Sequence, residues 1–350
     1  LRIALLVPNF AEHDGSARVA ELQALDLARR GHAVTVVALG GNIRPPRGEY
    51  RVCLLGMPRG LLGQRIYRLL FPVNLPATCR WVKRLREFDE LIVHLYPLTW
   101  LAYWTRRLYG TRYVFWYHGI MDPRFFPYLY ERLYIRAQIF LTKLTVRNAD
   151  RAVAVSEFAA AELRSYTGLD ATVEYNRVDD CRFHPGVPGE VVRKRFRLSC
   201  EPLILFVGAL RPVKGVFQLI QAFQLVRRSI PRARLLVIGT PDYRYYYRRL
   251  KSAGGDGVTF VGFVPHAELP FYYAACDLYA SCSFWETFNL PLWEAEAVGK
   301  PAVVFDIPPH RERKGPERKL VRTGDLEEFA RACVRILTKT GRAGGGGAAP

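Results

Sequence analysis

Ser281-Cys282-Ser283-Phe284-Trp285-Glu286-Thr287-Phe288-Asn289-Leu290-Pro291-Leu292-Trp293-Glu294-Ala295-Glu296-Ala297-Val298-Gly299-Lys300-Pro301-Ala302-Val303-Val304-Phe305-Asp306 reads as a loop, a helix and a buried strand. Asn289 is a good N-cap, and Pro291 falls in the first turn, where a missing N–H costs nothing. Gly299 ends the helix, Pro301 follows as a stop, and the apolar run 302–305 has the character of a buried parallel strand. Glu286 is thereby placed in the loop at the helix mouth and Glu294 inside the helix. A helix N-terminus opening on a crevice is an anion site.

The same alternation runs outward in both directions. Residues 203–207 form a strand, Gly208 to Gly215 a loop and 216–228 a helix. Lys214 in that loop is a cation able to neutralise a diphosphate, with Arg211 beside it. Strands 234–238 and 258–261 end in Gly239-Thr240-Pro241 and Gly262-Phe263-Val264-Pro265, and 326–337 is a helix. At the start, strand 2–7, polar loop 9–17, helix 17–30, Gly31 and strand 33–39 make a β-loop-α-β unit, so a parallel sheet is expected. It lacks G-x-G-x-x-G, which argues against a dinucleotide site. Strands 91–95 and 112–117 flank a helix over 98–108, and the second ends in His118-Gly119, aimed where α/β folds bind ligands. Residues 124–147 read as one or two long helices. The Pro- and Arg-containing stretch 186–202 reads as an inter-domain connection between domains 1–185 and 203–340, and the Gly/Ala-rich tail 341–350 as disordered.

A chain of 350 residues, half of them hydrophobic, suits two domains. No apolar run approaches the roughly 18 residues of a membrane span, and the first residues read as a strand and not as a signal peptide, with either a few residues missing before it or the start misread. Seven scattered cysteines form no C-x-x-C pair, which argues against zinc or a disulfide framework and fits free, mostly buried thiols in a reducing cytosol. The net charge of +19 implies an anionic partner. Between Glu49 and Glu87 there is no acidic residue, while Arg51, Arg59, Arg65, Arg68, Arg80, Lys83, Arg84 and Arg86 alternate with Leu61, Leu62, Ile66, Leu69, Leu70 and Phe71. This region, 51–86, reads either as an interfacial helix on an anionic membrane or as a surface helix packing its stripe on the sheet. No nucleic-acid fold signature accompanies the charge, so nucleic acid is not the expected partner.

The spacing E-x-F-x5-E-A-x-A-x-G-x-P from Glu286 resembles the E-x7-E signature of the retaining glycosyltransferases of family 4, the group 1 enzymes of the GT-B superfamily. Segments in family order cover nearly the whole chain: Gly15-Ser16, His118-Gly119, the Ser156 segment, Lys214-Gly215 and Glu286 to Glu294. The resemblance implies an α/β protein of two Rossmann-like domains with parallel sheets facing across a cleft, the donor mainly on the second. It assigns Glu286, His118 and Lys214 to catalysis. It assigns Gly15, Ser16, Arg211, Lys214, Gly239, Phe263, Phe288, Asn289, Leu290, Glu294 and Glu312 to the donor, Glu286 holding the sugar and Glu294 the ribose. The family's motif arginine falls on Ala209, with Arg211 as the substitute, and Arg177 replaces a glycine of its N-G-V-D stretch. The implied reaction moves a hexose from a UDP- or GDP-linked donor, with retention and with neither cofactor nor metal, to a lipid-linked or glycan acceptor of envelope synthesis. The expected location is cytoplasmic, peripheral at the inner membrane face. Related enzymes continue into a helix that returns to the first domain; none follows here, so a shortened end with looser closure is expected. The alternatives are a non-catalytic membrane-associated GT-B binding protein and a GT-B enzyme of other chemistry, an epimerase or a phosphorylase.

Overall fold

A computed structural model describes residues 1–339, except 13, 46, 47, 59, 314 and 316. The tail 341–350 and Arg59 of the basic stretch lie outside the described residues. The chain divides into two units, Leu1–Arg177 and the residues from Val178 onward.

The first unit holds a seven-stranded sheet built from β1 (Arg2–Phe10), β2 (Ala33–Gly41), β3 (Arg51–Leu54), β4 (Glu90–Val93), β5 (Arg112–Tyr117), β6 (Arg151–Ala154) and β7 (Thr172–Val173). All pairings are parallel, in the order β3-β2-β1-β4-β5-β6-β7. The connecting helices are α1 (Gly15–Arg29), α2 (Leu61–Leu70), α3 (Leu75–Leu85), α4 (Leu98–Tyr109), α5 (Leu129–Val146) and α6 (Glu157–Thr167). The order reverses between β1 and β4. That switch point, at the carboxyl ends of the strands, is where open α/β sheets take ligands. His94 follows β4, His118 follows β5, and the N-terminus of α1 follows β1.

The second unit begins with α7 (Glu190–Arg195) and then alternates β8 (Leu203–Val207), α8 (Val216–Ser229), β9 (Arg234–Ile238), α9 (Arg244–Gly254), β10 (Val258–Gly262), α10 (Leu269–Ala275), β11 (Leu278–Ser281), α11 (Leu290–Ala297), β12 (Ala302–Phe305), α12 (Pro308–Arg311), β13 (Arg318–Val321) and α13 (Leu326–Lys339). Its sheet is parallel, ordered β10-β9-β8-β11-β12-β13, so its switch point lies between β8 and β11. Strand β8 shows why the apolar runs contain no polar face. Ile204 and Phe206 enter one core, with α8 and α13, and Leu203 and Leu205 enter the other, with α10 and α11.

Two expectations change, and the two readings of 51–86 are separated in part. Residues 178–202 do not end the first domain and link the two; they pack with the second unit. Phe183 and Val192 are buried in its core, and the buried Arg193 guanidinium donates to the carbonyls of Ala275 (2.7 Å) and Glu201 (2.6 Å). Three cysteines are buried, but Cys53, Cys79, Cys181 and Cys200 are exposed. The apolar stripe divides, with Phe71 buried and Leu69 half-buried. Leu62, Ile66 and Leu70, at i, i+4 and i+8, all face outward, at 49–64 % exposure. Among the described residues no helix is long and apolar enough to cross a membrane.

Candidate active site

In the second unit two loops meet at the β8/β11 switch point. The loop after β8 is pinned to the one after β11 by Phe284 N–H donating to Val213 O at 2.9 Å. Gly215, at φ +63°, lies so close that a Cβ there would stand 1.9 Å from Cys282 O. This close approach brings Lys214 to Glu286, with Nζ donating to Oε2 at 2.6 Å. The Glu286 side chain is 8 % exposed and that of Lys214 24 % exposed, so the pair lies at the edge of solvent, with the carboxylate inside and the ammonium nearer the surface.

Glu294 faces inward from α11 and is buried. Tyr273 Oη donates to one of its oxygens at 2.8 Å, and His266 Nε2 to the other at 3.0 Å. Burial first, and then the Glu294 carboxylate, push the Tyr273 hydroxyl well above its ordinary pKa, so it remains a donor. Asn289 stands at the N-cap of α11, but its backbone is left-handed (φ +58°) and its side chain makes no cap. Instead it meets His310 Nε2 at 2.8 Å, while His310 Nδ1 meets Phe305 O at 2.7 Å. A carbonyl accepts only, so Nδ1 carries the proton and Nε2 accepts from the Asn289 amide. Burial lowers the His310 pKa and keeps that ring neutral.

The remaining donor candidates are placed as follows. Phe288 is buried, stacked on Trp293 at 5.5 Å, and accepts from Trp293 Nε1 through its carbonyl. Leu290 opens α11 and is half-buried. Phe263, just past β10, is 45 % exposed. The Gly239 N–H already donates to Gly262 O at 2.9 Å, and a Cβ on Gly239 would fall 1.8 Å from Gly208 O, so the chain itself requires this glycine. Arg211 is ion-paired to Asp242. Glu312 is half-buried directly after α12.

In the first unit Asp14 caps α1, accepting from the Ser16 N–H (3.0 Å) and hydroxyl (2.7 Å). Both Ser16 donors are therefore engaged, whereas a Cβ on Gly15 would meet nothing within 4 Å. His118 Nε2 lies 2.7 Å from His94 Nδ1. The turn after it is fixed by Tyr117, whose hydroxyl donates to Glu162 at 2.6 Å and accepts from Ile120 N–H at 3.1 Å. Arg177 does not adopt a positive φ, so the chain there makes no glycine-type turn. His94, His266, Tyr273 and His310 were not among the residues singled out from sequence. His94 meets His118 in the first unit, and the other three meet Glu294 or Asn289 in the second, each from a segment distant in sequence.

Comparison with known proteins matches both halves. Residues 13–182 match the model described as Glycosyltransferase Family 4 and residues 201–339 that described as Glycosyl transferases group 1. The chain belongs to this family, the group 1, family 4 glycosyltransferases, and has the GT-B fold. A GDP-mannose-dependent alpha-mannosyltransferase of Mycobacterium tuberculosis is 30 % identical over 340 residues, 93 % of this chain and 85 % of that protein. A GDP-mannose-dependent alpha-(1-6)-phosphatidylinositol monomannoside mannosyltransferase from the same species is 32 % identical over 161 residues, 43 % of this chain; that match spans 42 % of the relative's own length. Among solved structures, the sucrose-phosphate synthase of Thermosynechococcus elongatus superposes with a TM-score of 0.81 at 21 % identity, covering 98 % of this chain and 91 % of that one.

Proposed function

We propose that the protein transfers a hexose from a nucleotide sugar, with retention of configuration and without a metal ion, to a lipid-linked or glycan acceptor. The carrying observation is the Lys214–Glu286 pair at the switch point of the second sheet. A nucleotide sugar breaks at its anomeric C–O bond through an oxocarbenium-like state while charge gathers on the diphosphate. Lys214 stabilises that charge, and Glu286, released from the lysine, holds sugar hydroxyls. Glu294, Phe263, Phe288, Asn289 and Leu290 are assigned to the nucleotide, and Gly15, Ser16 and His118 to ligand binding on the first unit. Arg211, held by Asp242, is a second cation for the diphosphate. Glu294, on a helix and assigned to the ribose, fits neither the acid nor the nucleophile of a two-carboxylate hydrolase, so that scheme is not proposed.

The mannosyltransferase relatives make GDP-mannose the first donor to test, ahead of UDP and ADP sugars. In calorimetry, Glu294→Ala is expected to weaken GDP binding by about 100-fold, as removal of a buried charged hydrogen-bond acceptor does. Unchanged affinity in a folded variant would take Glu294 out of the nucleotide site. Binding of none of the nucleotides by the parent would overturn the transferase reading.

Attachment to an anionic membrane face, at the cytoplasmic side, is part of the same proposal. The outward stripe of α2 is continued by exposed Val73 and Leu75 and, on the adjoining α5, by Leu129, Leu133, Phe140 and Leu144. Exposed Arg80, Lys83, Arg84, Arg132 and Arg136 accompany it. Arg65 is not one of the outward cations. It turns in to Glu131 at 2.7 Å and ties α2 to α5. Co-sedimentation with phosphatidylglycerol-containing vesicles at low salt is expected for the parent, and Ile66→Glu is expected to reduce it about tenfold, since a charge replaces buried aliphatic surface. A protein that ignores such vesicles has no docking surface here.

A further inference from the structure

We propose that His94 is a positioning residue for His118: it donates its Nδ1–H to His118 Nε2 and so holds His118 in the neutral Nδ1–H tautomer. The proposal builds on the reading of His118 as a ligand-binding group, but its first test does not depend on turnover.

The two nitrogens are 2.7 Å apart, so one proton lies between them. The rings are within 18° of parallel, with centroids 5.0 Å apart, which places each ring's in-plane N–H or lone pair on the line joining them. Two neutral arrangements satisfy this contact. If His118 Nε2 were the donor, His94 would have to carry its own proton on Nε2. That atom is fully buried and has no hydrogen-bond partner among the described residues, and His94 is 0 % exposed, packed on the Trp116 ring. An orphaned buried N–H is rarer and costlier in proteins than a bare acceptor. The reverse arrangement, with His94 donating through Nδ1, leaves only a lone pair on that buried nitrogen. It therefore prevails, and His118 carries its proton on Nδ1.

Burial, and the His118 ring beside it, hold the His94 pKa well below its ordinary value. Burial takes His118 down to about 4, against the opposing pull of the Asp14 carboxylate. Both rings are then neutral near pH 7, as the single shared proton requires.

The chemical consequence is specific. With its Nε2 lone pair committed to His94, His118 cannot act as a base through that atom, and its remaining nitrogen is a donor. A ligand oxygen that meets this nitrogen meets a donor and not a base. The sequence reading places His94 within strand 91–95 and so does not single it out.

The full chain labelled with 15N-histidine, without ligand at pH 7, tests this through long-range proton–nitrogen correlations, with signals assigned by their loss in His118→Gln and His94→Asn. Neutral Nδ1–H patterns for both rings are expected. An Nε2–H pattern or an imidazolium at His118 would overturn the proposal. A second arm uses GDP-mannose, or whichever sugar nucleotide is turned over. Asparagine places an amide N–H near the Nδ1 position, so His94→Asn is expected to hold kcat/KM within about twofold, whereas His94→Leu loses about tenfold, the worth of one oriented hydrogen bond. Equal losses in both folded variants would assign His94 to packing alone. A chain that turns over no sugar nucleotide removes the second arm and the transferase reading but leaves the tautomer result standing.

Discussion

Lys214→Met is expected to lower kcat by about 10³-fold, the scale on which removing one oriented charge-stabilising group from a reacting centre is felt. The structure puts this lysine against Glu286, at 2.6 Å, on a loop clamped by a backbone hydrogen bond and by the close approach of Gly215. It needs little reorganisation to meet a diphosphate. The substitution also has a structural cost. Glu286 is left nearly buried without its counter-charge, worth about 2 kcal/mol, or roughly 6 °C in the melting temperature of a unit this size. A second substitution separates the two effects. Glu286→Gln in the Lys214→Met background removes the stranded charge and is expected to recover most of the lost stability but none of the turnover. If stability and turnover returned together, the lysine's role would be to neutralise Glu286. If Lys214→Met alone kept full turnover, the phosphate role would be wrong.

The elements around this pair were legible because each is coded locally. Residues 281–306 carry a proline in the first turn, a glycine after the last and an unbroken apolar run, and they form α11 and β12 as those signals require. What escaped is set by partners distant in sequence. Asn289 has the right residue type for a cap, but His310, 21 residues on, takes its amide, and the backbone turns left-handed. Glu294 is legible as a helical carboxylate. That Tyr273 and His266, 21 and 28 residues earlier, occupy its oxygens depends on how the strands are ordered in the sheet, which spacing does not encode. The prolines and arginines of 186–202 look like a linker, yet buried Val192 and Arg193 anchor that stretch, and Phe183 the residues before it, to the second unit. The stripe of α2 is visible as a period. Its direction is decided by Arg65 and Glu131, which tie the polar side of α2 to α5 and leave Leu62, Ile66 and Leu70 outside.

Gly215→Ala is expected to disrupt the second unit's switch point. Two costs add. The left-handed backbone, φ +63° and ψ 24°, costs an L-residue about 1 kcal/mol. The larger cost is steric, since the new Cβ would lie 1.9 Å from the Cys282 carbonyl oxygen and 2.6 Å from its carbon. Those are backbone atoms at the end of β11, whose partners β8 and β12 hold it on both sides. The strand cannot yield, so the loop after β8 must. It then loses the Phe284–Val213 hydrogen bond and draws Lys214 away from Glu286. Together these are expected to cost about 4 kcal/mol, at the diagnostic end of single substitutions, and to lower the melting temperature by roughly 10 °C. Gly324→Ala in the same unit is the control. Its φ is +90°, but a Cβ there meets nothing within 4 Å, so it carries the conformational cost alone. Thermal denaturation of the two variants should therefore differ severalfold, and equal shifts would show that the close approach to Cys282 is not what demands the glycine. Turnover measured well below the melting transition adds the functional half. Gly324→Ala should retain it, whereas Gly215→Ala should fall toward the level of Lys214→Met, because the methyl group displaces the lysine even where the unit remains folded.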